Sequence, residues 1–335
     1  MRPEPFPKLT RPLRLRMRLS KHLPRTGGVR RLKFVLRAEK ADLVEFQRLG
    51  ECLSAILVPR DQFGDDRINF YYRAFLPVVV HVLSRSKATV NDATAALTDG
   101  SSAKSKHLVF SANYPDALLI PDPEFFNSNA YGRFRRMSGT QLPWRDRADA
   151  IVWRGSTTGS GRLPANRLDA EAADIRPRAR MCALLRSIPN VDAKLIRVVQ
   201  SDDLEGDTRR LTDAGLMGGP IETTSWLNRK FAIDIDGNTN AWSNLFTRLL
   251  AGCCVIKIDS QHGFRQRYYD RLVPWKTHVP VQAGFSDLIE KIEWCRTNPA
   301  ECAHIAATGR ALALSMTLQT EISRAIDRVN EVLGR

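Results

Sequence analysis

The stretch KFAIDIDGNTNAWSNLFTRLLAGCCVIKIDS, residues Lys230–Ser260, decides the fold class of this 335-residue chain. An apolar run ends at Asp236-Gly237, a polar loop follows, and a helix-length segment leads into a second apolar run. Strand-length runs that alternate with helix-length segments predict an α/β architecture. The predicted helix begins near Ala241, so its first backbone N–H groups would face the turn, as in phosphate-binding sites. The same pattern is also typical of an ordinary strand–turn–helix connection.

A second segment, IVWRGSTTGS (Ile151–Ser160), predicts a buried strand that ends in an arginine and a loop of small residues. Ligands of open α/β sheets bind at the carboxyl ends of strands, where glycine permits close backbone approach and an arginine fork can hold a phosphate. Gly/Ser/Thr clusters are also common in simple turns. The candidate phosphate-binding residues here are Arg154, Gly155, Ser156 and Thr158.

A third segment, YYDRLVPWKTHVPV (Tyr268–Val281), places three ring side chains in a loop bounded by prolines. Tyr269, Trp275 and His278 are candidates for stacking on a base or bonding to a ribose. Aromatic residues in such loops also serve simply as packing.

The remaining pattern predicts two domains. Residues 31–58 suit a helix, whereas the apolar runs FLPVVVHVL, KHLVFSA and DALLIPDP have the length of strands. The polar segment GTQLPWRDRADA near the middle predicts the domain boundary. The predicted parts are an irregular basic arm at 1–30, a first domain at 31–143, a second at 144–310, and a C-terminal helix at 311–335 that packs back on the first domain.

The positive charge is concentrated at the start of the chain. The net charge is +15, and residues 1–40 hold thirteen Lys/Arg against two Glu. A solvated tail, anionic lipid headgroups and nucleic acid phosphates remain as explanations. Leucines that alternate with arginines between 9 and 19 favour a membrane surface, although no apolar run is long enough to span one. The six cysteines lack metal-ligand spacing, which predicts buried thiols in a reducing compartment.

Taken together, these segments resemble glycosyltransferase family 90, the group of fungal capsule-associated proteins, bacterial lipopolysaccharide-modifying transferases and Rumi-type protein O-glucosyltransferases. The resemblance covers roughly residues 97–310 and keeps the order and spacing of six blocks. The blocks are PW at 143–144, WRGSTTG at 153–159, the stretch from Arg180 through LLRSIPNVDAKL, KFAIDIDGNTNAWSNLFTRLLAGCCVIK, YYDRLVPWKTHVPV, and FSDLIEKIEW.

The resemblance implies a GT-B architecture, in which two Rossmann-like domains face a cleft, here with a flexible basic N-terminal arm. It implies an acceptor-side first domain, a second domain that holds a UDP-sugar, inversion at the anomeric carbon, and no metal or other cofactor. The implied catalytic base is Asp99, with Asp92 and Asp116 as competitors. The implied donor-binding residues are Arg154, Gly155, Ser156, Thr158, Arg180, Lys230, Gly237, Asn238, Asn240, Trp242, Asn244 and Tyr269.

Three positions depart from the family pattern. Asn244 stands where relatives carry an arginine, Gln266 where they carry a glutamate, and Thr277 where they carry a histidine. Losing a phosphate-facing cation weakens binding by about 1.5–3 kcal/mol. Arg248, one turn further along the predicted helix, is a candidate replacement for the missing arginine.

The sequence therefore predicts an inverting, metal-independent transferase that moves a sugar from a UDP-sugar to a glycan hydroxyl in lipopolysaccharide or capsule biosynthesis. The absence of a secretory signal and of an ER-retention tail predicts a cytoplasmic protein, held on the inner face of a membrane by residues 1–40. The expected partners are the nucleotide-sugar, a glycan or lipid-linked glycan acceptor and an anionic membrane surface, but not nucleic acid. The alternative is a catalytically degraded transferase that serves as a membrane-surface binding protein.

Overall fold

The computed structural model describes residues 11–26, 28–36, 43–57, 66–87, 93–96, 98–102 and 107–333. The chain divides into two compact units. The first comprises Met1–Ala130 and Thr317–Arg335, and the second Tyr131–Met316. The division therefore falls at Ala130, ahead of the polar segment at 139–150 that the sequence suggests. The last helix belongs to the first unit.

The first unit is built on a six-stranded mixed sheet. Its order is β1-β3-β2-β4-β5-β7, with β2 antiparallel to both of its neighbours and the other pairs parallel. The elements of the first unit are α1 (Arg11–Ser20), β1 (Arg31–Leu36), β2 (Leu43–Leu49), β3 (Cys52–Leu57), α2 (Asp66–Arg85), β4 (Ala93–Ala96), β5 (His107–Val109), β6 (Ser111–Ala112), β7 (Leu118–Leu119), α3 (Pro123–Asn127) and, after the second unit, α10 (Leu318–Leu333).

Two secondary-structure predictions for this unit are wrong. Residues 31–58 hold the three strands β1, β2 and β3 where the sequence suggests a helix. Burial alternates along them, as at Val44 and Phe46, which is the period of a strand with one covered face. The run FLPVVVHVL lies within α2, and this part of the helix is buried on all sides, since the consecutive residues 75–80 are all buried. Even so, no helix among the described residues is long and apolar enough to cross a membrane.

The basic segment is ordered where the structure describes it. Residues 11–20 form α1, which packs on β1 and α2, in place of an irregular arm. Leu19 is fully buried and Leu15 nearly so. They lie one turn apart on the same helix face, so they anchor α1 in the core of the first unit. Residues 1–10 lie outside the described part of the chain.

The second unit is built on a five-stranded parallel sheet with the order β13-β11-β10-β8-β9. Its central strands β10 and β11 are buried on both faces, which explains why they are recognisable as continuous apolar runs. The elements of the second unit are α4 (Gly132–Met137), β8 (Ala148–Ser156), α5 (Pro177–Leu185), β9 (Val191–Arg197), α6 (Leu204–Asp213), β10 (Arg229–Asp234), α7 (Asn244–Leu250), β11 (Cys254–Ile258), β12 (Arg265–Gln266), β13 (Val279–Val281), α8 (Leu288–Thr297) and α9 (Pro299–Ser315).

The α/β fold class is thus confirmed, as are two sheet-based units of the kind that a GT-B enzyme contains. All six cysteines are free, and all except Cys52 are buried, as predicted for small apolar side chains.

The burial of α1 leads to a stability prediction. Leu19→Ala is expected to lower the free energy of unfolding by about 2–5 kcal/mol, because it leaves a cavity in a closed core. Leu13→Ala on the same helix is the control, since Leu13 is 41% exposed, and its effect should stay within about 0.5 kcal/mol. Urea unfolding of both variants measures this. Equal small losses would mean that α1 is not part of the core.

Candidate functional site

The second unit has a topological switch point between β8 and β10. From β8, the first strand of its sheet, the chain goes to β9 on one side and then crosses to β10 on the other. The loops that follow β8 and β10 therefore leave the sheet in opposite directions. Open α/β sheets bind their ligands in the crevice that forms at this point. Both glycine-containing loops that the sequence singles out lie here, Thr157–Ser160 after β8 and Ile235–Asn240 after β10.

Arg178 joins the two loops. This arginine is in the first turn of α5, and its Nη1 donates to Thr158 Oγ1 at 2.7 Å. Its Nε donates to the Asp236 carbonyl oxygen at 3.0 Å and its Nη2 to that of Ile235 at 3.1 Å. Burial lowers the pKa of Arg178, while Asp234 and Asp236 favour its charged form. Sequence reasoning missed Arg178 and chose Arg180, two positions along the same helix.

The close contact of the two loops leaves room for no side chain at Gly237. A Cβ atom at Gly237 would lie 2.5 Å from Thr158 Oγ1 and 3.1 Å from Arg178 Cζ. In the same region, the backbone N–H of Gly159 donates to Asn238 Oδ1 at 3.1 Å. The structure thus brings together Thr158, Gly237 and Asn238, all three of which are predicted site residues.

Charged side chains are buried beside these loops. Asp234 and Asp236 lie two residues apart at the end of β10, and Lys257 lies opposite Asp234 on β11. Burial raises the pKa of Asp236 from 3.8 to about 6, against the opposing effects of the Lys257 ammonium and the Ser260 hydroxyl. The Lys257 Nζ lies 4.9 Å from the centroid of the Tyr269 ring and donates to the Ile258 carbonyl oxygen at 3.4 Å. The edge of the sheet therefore holds two carboxylates and two cations, of which Asp234 and Lys257 are buried and Asp236 and Arg178 are half-buried.

The loop after β10 is closed by side-chain amides. Asn240 Oδ1 accepts from the backbone N–H of Trp242 at 2.8 Å and from Gln266 Nε2 at 2.6 Å. Trp242 has a φ of 49°, so residues 241–243 form a turn. The helix begins at Asn244, not near Ala241 as predicted. Asn244 Nδ2 in turn donates to Asp234 Oδ1 at 3.1 Å.

Several buried polar atoms in this region have no hydrogen-bond partner among the described residues. Native proteins satisfy nearly all such groups with protein, water or ligand. An occupant with both donors and acceptors would meet them. These atoms are Asp234 Oδ2, Asn240 Nδ2, Gln266 Oε1 and Tyr269 Oη.

The Arg154 guanidinium bonds to protein groups, and its predicted role in donor binding stays a prediction. Its Nη2 forms an ion pair with Asp192 Oδ2 at 2.6 Å, and its Nε donates to the Gly219 carbonyl oxygen at 2.9 Å. The side chain is 12% exposed and ties β8 to β9.

Lys230 and Arg180 are also engaged elsewhere. Lys230 lies at the amino end of β10, the end of the strand opposite the loops, where its Nζ pairs with Asp149 Oδ1 at 2.5 Å. Arg180 Nε donates to the Glu171 carbonyl oxygen at 3.1 Å, and its guanidinium stacks on Phe285. The described contacts of these two cations are not with the loops that Arg178 joins.

The remaining predicted residues of the second unit have mixed positions. Gly155 and Ser156 are the last two residues of β8, and a Cβ at Gly155 would collide with the Trp153 ring. Arg248, the suggested replacement for the missing arginine, stacks on Trp226 with its Cζ 3.6 Å from the ring centroid. Trp275 packs on Trp294, so it serves the loop and not the crevice.

His278 and Thr277 form a buried pair next to Lys257. Thr277 Oγ1 lies 3.1 Å from His278 Nδ1. Burial, and after it the Lys257 charge, lowers the pKa of His278 to about 4. The imidazole is therefore neutral at pH 7.

Asp99 lies in the first unit, in the turn between β4 and β5. Thr98 Oγ1 donates to the Gly100 carbonyl oxygen at 2.8 Å and closes this turn. Asp99 is half-buried. Of its competitors, Asp116 is exposed, and Asp92 lies outside the described residues. Asp99 lies just beyond strand β4, as predicted. Its role as the catalytic base stays a prediction. Across the part of the chain that the structure describes, no three His, Cys, Asp or Glu side chains are arranged to hold a metal ion.

The contact at Gly237 leads to a prediction. Gly237→Ala is expected to lower the free energy of unfolding by about 1–3 kcal/mol, because the new methyl group collides with Thr158 and Arg178. Gly284→Ala is the control, since nothing lies within 4 Å of a Cβ built there. Thermal unfolding of the two variants measures the difference. Indistinguishable melting temperatures would mean that the two loops are not held in contact.

Asp236 leads to a prediction about pH. Its folded-state pKa of about 6 lies above 3.8, so the folded protein binds this proton more tightly than the unfolded chain does. Its stabilising effect is complete below pH 4 and is lost as the pH rises through 6. The free energy of unfolding of Asp236→Asn, relative to the wild type, should rise by about 3 kcal/mol between pH 4 and pH 7. Urea unfolding across this range measures it.

The control for this experiment is Asp259→Asn, because Asp259 is exposed just beyond β11. Its difference from the wild type should not change over the same range. A pH-independent difference for Asp236→Asn would contradict a raised pKa at this carboxyl group.

Comparison with known proteins identifies the family. Residues 134–321, more than half of the chain, match glycosyl transferase family 90. Uncharacterized protein 035R of Invertebrate iridescent virus 3 is 31% identical over 164 residues, which are 49% of this chain and 14% of that protein. Protein O-glucosyltransferase 3 of Homo sapiens is 33% identical over 84 residues, which are 25% of this chain and 16% of that protein. The chain thus covers less than a fifth of the length of either relative.

Among solved structures, Anabaena Alr3699/HepE in complex with UDP-glucose is similar, with a TM-score of 0.36 and 15% identity over 64% of this chain and 55% of that one. The family match contains β8, β10, β11 and both loops of the switch point. It confirms the resemblance drawn from the sequence, and the chain belongs to glycosyltransferase family 90.

Proposed function

We propose that this protein is an inverting, metal-independent glycosyltransferase that moves a sugar from a UDP-sugar to a glycan hydroxyl, in lipopolysaccharide or capsule biosynthesis. Membership of family 90 across residues 134–321 is the observation that carries the proposal. The acceptor is a glycan or a lipid-linked glycan. We place the protein in the cytoplasm, as a peripheral protein on the inner face of the membrane.

The donor nucleotide binds, in this proposal, at the switch point of the second unit. Two features support this location. The loops that Arg178 joins bring Thr158, Gly237 and Asn238 together at the carboxyl edge of the sheet, where open α/β sheets bind their ligands. Nearby, Asn240 and Tyr269 carry buried donors without partners among the described residues. A UDP moiety offers phosphate and carbonyl oxygens to such donors.

Charge stabilisation of the leaving diphosphate is assigned to Arg178 and Lys257. Departure of UDP builds negative charge, and buried cations stabilise it because little water screens them. The three described hydrogen bonds of Arg178 go to protein oxygens. Arg178 therefore acts through the electric field of its positive charge and by holding the two loops together. Among the described residues, Lys257 forms one weak hydrogen bond, to the Ile258 carbonyl oxygen at 3.4 Å. In this proposal Arg178 and Lys257 take the role predicted for Arg154, Arg180 and Lys230. Those three side chains bond to other protein groups.

Asp99 is the proposed catalytic base. In an inverting transfer its carboxylate takes the proton of the acceptor hydroxyl while the oxygen forms a bond to the anomeric carbon. The bond from that carbon to the diphosphate oxygen breaks on the opposite side, and UDP leaves with the electron pair. General base catalysis of this kind contributes about 10²–10⁴-fold.

The second candidate is a transferase-like body that has lost activity and binds a membrane surface. The observation that favours it is Asn244. The resemblance places Asn244 where eukaryotic relatives carry an arginine, whereas here the Asn244 amide donates to Asp234. Without that cation, the start of α7 offers less charge to a diphosphate.

Nucleotide binding separates the two candidates. Calorimetric titration with UDP, GDP and CMP is expected to show selective UDP binding that EDTA does not change. Arg178→Lys should weaken UDP binding by at least about tenfold, because a lysine cannot replace the fork that joins two loops. Arg180→Lys on the same helix is the matched control and should bind UDP as the wild type does. Binding of no nucleotide would overturn the transferase proposal.

Catalysis is tested separately from binding. Asp99→Asn is expected to keep UDP binding and to lower UDP release from UDP-sugars by about 10²-fold or more. Asp116→Asn, at an exposed aspartate of the same unit, should retain activity. Full activity of Asp99→Asn would remove Asp99 from the mechanism and leave the donor site untouched.

A further inference from the structure

The outward face of α1 carries two exposed apolar side chains between arginines. Leu13 is 41% exposed and Met17 is 55% exposed. At about 100° per residue, these two project in nearly the same direction, and Arg14 and Arg16 project about 80° to either side. Both arginines, and Arg18 beyond them, are exposed. A surface that is apolar at its centre and cationic at its margins suits the boundary between lipid headgroups and acyl chains.

A basic groove lies beside this face. It has a volume of about 620 Å³ and runs between the end of α1 and the start of β1, with Leu32 in its floor. Its described lining residues include five cations and no carboxylate. These cations are Arg16, Lys21, Arg25, Arg30 and Arg31. Of these five cations, Arg30 alone has an ion pair among the described residues, with Glu51 at 3.2 Å, and both side chains are more than half exposed.

The helix and the groove are fixed to the unit. Leu15 and Leu19 bury the inner face of α1. Beyond the helix, Arg85 Nη1 donates to the His22 carbonyl oxygen at 2.5 Å, and the backbone N–H of Val29 donates to the Ser84 carbonyl oxygen at 3.1 Å. The connection from α1 to β1 is therefore bonded to α2 at His22 and at Val29.

We propose that α1 and the groove form a preformed docking surface for an anionic lipid bilayer. Phosphate groups of lipid headgroups occupy the groove, and Leu13 and Met17 insert at the level of the headgroups. Arginine forks suit phosphate oxygens, and the exposed apolar pair would find no partner along a nucleic acid backbone. The inference deepens the proposed peripheral membrane association and rests on it, but it does not depend on sugar transfer.

The test is sedimentation of the full chain with vesicles of phosphatidylcholine, with and without 30% phosphatidylglycerol, at ~0.15 M salt, where charges are screened beyond about 8 Å. The wild type is expected to partition onto anionic vesicles only. Lys21→Ser/Arg25→Ser removes two groove cations and should weaken partitioning about 25-fold, at about fivefold per cation. Leu13→Ser/Met17→Ser should weaken it on the order of tenfold by removing the apolar contact.

Matched controls lie on the second unit. Arg145→Ser/Arg209→Ser removes two exposed arginines, and Leu168→Ser/Leu204→Ser removes two exposed leucines. Both should partition as the wild type does. Thermal unfolding and UDP titration of every variant distinguish failure of this proposal from misfolding and from failure of the transferase proposal.

Three outcomes would overturn the docking surface. Equal binding to neutral and anionic vesicles would exclude headgroup recognition. Equal losses of vesicle partitioning in the Lys21→Ser/Arg25→Ser and Arg145→Ser/Arg209→Ser variants would show that net charge alone determines binding. Calorimetric binding of inorganic pyrophosphate or of single-stranded RNA, without partitioning onto vesicles, would assign the groove to a soluble anion or to nucleic acid.

Discussion

The second unit depends on one half-buried guanidinium. Arg178 donates to Thr158, Ile235 and Asp236, and so joins two loops that the topology of the sheet would otherwise send apart. A buried charge is tolerated only when its donors are satisfied and opposite charges are near. Here two carbonyl oxygens and a hydroxyl satisfy the donors, and Asp234 and Asp236 supply the opposite charge. The close approach at Gly237 follows, because any side chain there would occupy the space of this contact.

The same constraint explains the acidic pair. Asp234 ends β10 and Asp236 follows in the loop, and both carboxylates lie near the Arg178 guanidinium, with Lys257 also near Asp236. The charges are balanced in number, but the pKa of Asp236 stays raised because burial outweighs the two cations. Asp234 is held in a different way, since the Asn244 amide donates to one of its oxygens. Asn244, the residue that departs from the family pattern, thus has a hydrogen-bond partner in β10.

Sequence reasoning succeeded where burial on both faces makes a strand recognisable by itself. The strands β8, β10 and β11 are continuous apolar runs, so the second sheet and its two loops were predictable. In the first unit, β2 alternates buried and exposed residues, and the buried helix α2 is as apolar as a strand. The partners of the cationic side chains could not be predicted, for a different reason. Nothing local indicates that Arg154 meets Asp192, that Lys230 meets Asp149, or that Arg178 and not Arg180 faces the loops. These assignments depend on partners distant in sequence.

The ordered state of α1 changes the energetics of any surface that it contacts. An isolated ten-residue helix is marginal in water, because nucleation fixes several backbone dihedrals before hydrogen bonds compensate. A disordered basic arm would have to meet that cost on binding, which weakens its affinity. In this chain the burial of Leu15 and Leu19 offsets the cost during folding, so Leu13, Met17 and their flanking arginines are already in place. The concentration of charge near the start of the sequence is therefore, from residue 11 onward, a property of a folded surface.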